Sequence, residues 1–293
     1  MYELLTDELR VEVLDPVADQ ALTGPRYCTG GYVFQVHDAR LGPLMTGPTY
    51  PDSFNWFDGQ GIPDSFALAP VPVADDPNRA LLLGVGVCDL EAPAVVEPCA
   101  WTVEQAAAAL TFRTTHAWAG LDIALVRTVS LDGRTLRSVT ELVTTVHDEA
   151  AVHDEPAVHD ERVIAGHVPA SLPVRWFPHP FFPQPSSEAL FRTSFPVAVP
   201  ENEGYLVDDE GAVRRRVLAP GHLGHYQLVD HTADAPLTLV HRHDALGSIT
   251  MTTSYVPGQF VVWGNHYTVS AEPFLELTLP PDTPTTWTVT YTF

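Results

Sequence analysis

The sequence is poor in positive charge: 15 basic residues stand against 37 acidic ones over 293 residues, a net charge of -22. Binding to nucleic acid or to an anionic lipid surface rests on clustered Lys and Arg, so this balance excludes both partners. The one basic run, Arg214-Arg215-Arg216, reads as a solvated turn, with a grip on a sugar phosphate as the alternative. Cysteine is scarce as well. Cys28, Cys88 and Cys99 fit no metal spacing and cannot all pair, which points to a reducing compartment. No stretch reaches the ~18 apolar residues of a membrane helix, and the first residues carry no basic-then-apolar leader pattern. These absences predict a cytoplasmic protein. A Gly/Ser linker is also missing, which predicts one domain over 1–293.

What is present suits many short strands joined by tight turns: 45 % hydrophobic and 18 % charged residues, with 27 prolines and 19 glycines. Period-two alternation recurs. Val11 and Val13 face away from Arg10 and Glu12; Tyr32, Phe34 and Val36 share a face, as do Leu121, Ile123 and Leu125. Trp287, Val289, Tyr291 and Phe293 point one way and threonines the other. Further strands are predicted over 80–87, 110–116, 135–144, 236–243, 248–255, 259–264 and 274–279, and a helix only over Val103–Leu110, with its alanine run. Asp132-Gly133 and Pro257-Gly258 read as hairpin turns. The predicted fold class is therefore all-β, a large antiparallel sandwich with very little helix.

Val-His-Asp-Glu occurs at 146–149, 152–155 and 158–161. Metal binding by His147, His153 and His159 is one reading. A six-residue period matches neither a helical stripe nor a metal cage, so the repeat is read instead as an acidic surface insertion over 146–162.

Two segments set ionisable residues among large aromatics. In the first, Pro178, Pro180 and Pro183 stiffen the chain around His179, flanked by Trp176, Phe177, Phe181 and Phe182. Aromatic faces stack on the C–H faces of sugars, so this is a candidate carbohydrate wall; a loop histidine among core aromatics is the alternative. In the second, Glu272 is predicted in a loop between two strands, before Pro273 and near Trp263, Asn265 and His266. A carboxyl among aromatics can have a raised pKa suited to proton transfer near neutrality. A strand-edge carboxylate is the alternative.

Together and in this order, these segments resemble the aldose 1-epimerase (galactose mutarotase-like) family. His-Pro-Phe-Phe at 179–182 resembles the segment carrying the family's catalytic histidine. Ser-Ala-Glu-Pro-Phe at 270–274 resembles its C-terminal Glu-Pro segment, and 47–51 with 58–61 its early loops. The resemblance, spread over residues 9–293, implies a β-supersandwich. It also implies interconversion of aldose anomers without a cofactor, with a small sugar as partner, Glu272 as base and His179 as acid. Trp176, Phe182 and Trp263 are then candidates for stacking, and Gln60 and His225 for hydroxyl contacts. The chain departs from the pattern in three places. Gln60-Gly61 stands where many members have His-Gly, and Gln60 cannot exchange a proton. A sugar-binding aspartate has no match near Gly224-His225-Tyr226, and the acidic repeat is foreign to the family. A sugar-binding protein without turnover is the second reading. A third is a cupin-like metal site from His222, His225, His231, His241, His243 and Asp244, since His241 and His243 would share a strand face.

Overall fold

The computed structural model describes residues 1–73, 76–146, 171–216 and 224–293. The repeat lies outside them apart from Val146, and so does His222. Two large antiparallel sheets dominate. The ten-stranded sheet runs, edge to edge, Thr102–Ala106, Ala109–Trp118, Leu121–Asp132, Thr135–Val146, Thr285–Thr292, Gly247–Thr253, Thr238–His243, Ala189–Thr193, Ala212–Arg215 and Tyr205–Val207. The second sheet runs Val197–Ala198, His225–His231, Gln259–Gly264, Thr268–Leu279, Leu172–Pro178 and Asp64–Ser65, with Phe182–Pro183 also on the Thr268–Leu279 strand. Two four-stranded sheets are built from residues 2–43 and 71–98. Among the described residues there is no α-helix, only a 3-10 turn at Gln20–Leu22. No helix is long and apolar enough to cross a membrane.

Alternation builds the core. Along Leu121–Asp132 every second residue is buried, and in the Thr285–Thr292 strand Trp287, Val289 and Tyr291 are buried between partly open threonines. These side chains meet the inner face of the second sheet: Trp176 lies 5.5 Å from Trp287, and Phe182 6.5 Å from Tyr291. Inside this layer Arg127, fully buried, makes a two-pronged ion pair with Asp64, whose Oδ1 also accepts from Trp176 Nε1 at 3.0 Å.

Four local expectations are corrected. Residues 103–110 form a hairpin, not a helix: Val103 pairs with Phe112 and Ala106 with Ala109. Alanine's helix propensity is a weak prior, and the alternate burial of Leu110 and Phe112 outweighs it. Residues 80–87 are two strands, Arg79–Leu82 and Gly86–Asp89, turning at Gly84. Gly84 has φ +72°, and a Cβ there would stand 2.4 Å from Cys28 Sγ. Pro257-Gly258 is no hairpin turn but carries the chain from the ten-stranded sheet to the second sheet. Glu272 lies inside the Thr268–Leu279 strand, not in a loop.

Candidate active site

His179 follows the last residue of the Leu172–Pro178 strand, where Pro178 pairs with Asp64. Its N–H donates to Pro63 O at 2.8 Å, and that of Phe181 to Gly61 O at 2.8 Å. The histidine is thus fixed by backbone at both sides. Glu272 pairs with Val261, which pairs in turn with Leu228; one step along, Ser270, Trp263 and Tyr226 form the parallel row. Directly opposed residues share a face. This is the outward face of the second sheet, on which Tyr226 is 54 % and Leu228 44 % exposed.

The two buried side chains touch on that face, His179 Nε2 standing 3.3 Å from Glu272 Oε1. Neither His179 Nδ1 nor Glu272 Oε1 has a hydrogen-bond partner among the described residues. Tyr27 (5.8 Å), Phe181 (4.4 Å), Phe177 (6.0 Å) and Trp263 (6.0 Å) surround the imidazole. Burial pushes Glu272 up to about 8, against the pull of the Arg26 charge and a Ser270 hydrogen bond. Burial, and then Arg26, push His179 well below its usual range. A buried carboxyl and a buried imidazole in contact hold one proton between them near neutrality.

No protein-family model and no curated protein matches the chain. Solved structures do. A galactose mutarotase related enzyme from Lactobacillus acidophilus superposes with TM-score 0.58 over 99 % of this chain and 96 % of its own, at 10 % identity. A galactose mutarotase-like protein from Lactobacillus casei does so with TM-score 0.56 over 100 % and 99 %, at 12 % identity. The Slr1438 protein of Synechocystis sp. PCC 6803 gives 0.55 over 99 % and 94 %, at 15 % identity. The chain has the galactose mutarotase-like fold.

Within this mutarotase-like fold the other candidate residues separate. Trp176 and Phe182 are in the core, not at the pair. Strand parity decides it: Trp176 faces inward while its neighbour Phe177 faces the site, and Phe182 stacks at 4.4 Å on His241. Trp263 lies beside the pair, edge-on to His179 and Phe181. Gln60 is buried under the aromatic cluster, its Nε2 donating to Phe34 O at 3.2 Å and its Oε1 without a partner among the described residues. His225 packs its ring on Gly204 and Tyr205, at the flank. Tyr205, whose ring stands 5.7 Å from that of His225, is raised by burial and then by Glu272. Sequence reasoning passed over Arg26, Tyr27 and Tyr205, which come from segments without a histidine–aromatic motif, and over Tyr226, whose neighbour His225 was chosen instead.

The cupin-like reading is overturned. His243 accepts at Nδ1 from the Ala245 and Leu246 N–H groups, and its Nε2 meets Leu44 O at 3.2 Å, leaving no free nitrogen. His241 is wholly buried, and among the described residues no group of His, Cys, Asp and Glu is arranged to hold a metal ion. The Arg214–Arg216 run is no free turn either. Arg214 and Arg215 lie in a strand, Arg214 pairs with Glu188 and Asp208, and Arg215 and Arg216 donate to the carbonyls of Pro185 and Tyr205.

Proposed function

We propose that this protein interconverts the α and β anomers of an aldose, as a cytoplasmic enzyme, by acid–base ring opening at His179 and Glu272. The observation that carries the reading is the contact of these two buried groups at 3.3 Å on an aromatic-lined face. Ring opening takes a proton from the C1 hydroxyl and delivers one to O5. Both oxygens sit on the same carbon, so donor and acceptor must stand side by side. With Glu272 raised to about 8 and His179 depressed, the shared proton rests on the carboxyl at neutral pH. Glu272 then protonates O5 as the imidazole takes the C1 hydroxyl proton and the C1–O5 bond breaks. The aldehyde turns about C1–C2, and closure on the other face returns both protons. The family resemblance assigns base to Glu272 and acid to His179, which is the same one-proton pair with the proton on the other partner.

Positioned proton transfers typically contribute ~10²–10⁴-fold each. Anomer exchange followed by NMR or polarimetry on several aldoses should therefore collapse towards the spontaneous rate in Glu272→Gln and in His179→Asn. Equal rates in all three proteins would end the epimerase reading. Gln60 favours one second reading, a sugar-binding protein without turnover, because its amide is tied to Phe34 O and exchanges no proton. That reading predicts sugar binding with exchange no faster than in buffer.

A further inference from the structure

Arg26 stands at the rim of this site without a counter-ion. Its guanidinium lies 5.2 Å over the Tyr27 ring and 4.8 Å over the exposed ring of Phe57, and one N–H donates to Phe57 O. Tyr27 in turn stands edge-on to His179. Seven other arginines pair with carboxylates, Arg127 with Asp64 and Arg134 with Asp38 among them, while Arg40, Arg113, Arg137, Arg215, Arg216 and Arg242 do not among the described residues; Arg26 differs from these in its place over Tyr27, the ring beside His179. Arg26 pairs with none among the described residues, in a chain with 37 acidic ones. A guanidinium has five N–H donors, so four remain for a ligand. Through Tyr27 it neighbours the proton pair, and its charge acts on both His179 and Glu272.

We propose that Arg26 is an anion anchor, so that the aldose taken by this site carries an anionic group, a carboxylate or a phosphate, held by Arg26 while C1 lies on the His179–Glu272 pair. This rests on the epimerase reading above. The net charge of -22 does not forbid it. Exposed charges are screened beyond about 8 Å at physiological salt, so the local guanidinium decides. Planar two-pronged recognition of carboxylate or phosphate is what Arg supplies and Lys does not.

The test compares anomer exchange of glucose, glucuronate and glucose 6-phosphate in wild type, Arg26→Gln and Arg26→Lys. One charge-assisted contact corresponds to about 10- to 100-fold in affinity. The expected result is a kcat/KM at least tenfold higher for an anionic aldose than for glucose, erased in Arg26→Gln and partly kept in Arg26→Lys. Taking glucose as reference cancels any effect of Arg26 on the proton pair itself. The glucuronate and phosphate arms tell the two anions apart. Equal kcat/KM on all three sugars, or a preference that survives Arg26→Gln, overturns the anchor and leaves the epimerase standing. If no aldose exchanges, the epimerase reading fails, and calorimetric titration with the two anionic sugars decides the anchor. Binding weakened tenfold or more by Arg26→Gln upholds it; absent or unaltered binding overturns it.

Discussion

Glu272→Gln should stabilise the protein in alkaline buffer while removing its activity. In the folded chain the carboxyl sits against His179 under Tyr27 and Trp263, and its protonation midpoint lies at about 8 rather than 4.5. A raised folded value means that stability is whole below the unfolded pKa and is lost as pH rises through the folded one. Each pH unit between the two is worth about 1.36 kcal/mol, so burying this group costs on the order of 5 kcal/mol once pH passes 8. That is a large share of the 5–15 kcal/mol typical of a domain. Glutamine has nearly the same shape and never ionises. The two proteins should therefore be closely matched near pH 4.5, and the variant should gain steadily up to about pH 8 and then hold a constant lead. His179 is present in both and drops out of the difference, apart from its contact with residue 272. Urea unfolding of both proteins at half-unit steps from pH 4.5 to 9 measures it. A stability difference that does not change with pH would refute the reasoning, and with it the claim that this carboxyl is held in its neutral form.

If the one-proton pair is the active form, the exchange rate should fall as pH rises through about 8, and a rate still climbing at pH 9 would contradict it. Asp64→Asn leaves the fully buried Arg127 charge without its partner and should cost about 3–5 kcal/mol in denaturant unfolding. A loss under about 1 kcal/mol would show that the pair is better solvated than its burial implies. His241, wholly buried against Phe182 and depressed to about 3, costs stability as pH falls below 6.5, because only the unfolded chain then takes the proton. His241→Leu should remove on the order of 3 kcal/mol of that loss by pH 4, read from parallel melts at pH 4 and 7. Gly84→Ala meets Cys28 Sγ at 2.4 Å in a left-handed turn, and should cost more than about 1 kcal/mol in the same assay.

Strands that bury one face were legible in the sequence because alternation reports directly on burial, as in Leu121–Asp132 and Thr285–Thr292. Where one apolar run holds two strands, alternation does not reveal the turn; at 80–87 only Gly84 and Gly86 marked it. The alanines around 106–109 misled because small residues fit a tight hairpin as readily as a helix. At the site, two residues 93 positions apart in sequence, His179 and Glu272, lie 3.3 Å from each other in the fold. The aromatics beside them sorted by strand parity, which needs the register: Trp176 and Phe177 are neighbours on opposite faces. Arg26 carried no local signal at all. Only the fold sets its guanidinium over Tyr27, the ring beside His179.

The Thr285–Thr292 strand lies between Thr135–Val146 and Gly247–Thr253, and among the described residues it alone joins the two halves of the ten-stranded sheet. On a ribosome those halves are made first, and each presents an open strand edge until the strand that unites them has emerged. Such edges template pairing between neighbouring chains. Yield during rapid synthesis should accordingly be set by chaperone capacity more than by final stability. Nascent chains stalled before residue 285 should be protease-sensitive along the Thr135–Val146 edge, whereas chains released past residue 292 should be protected there.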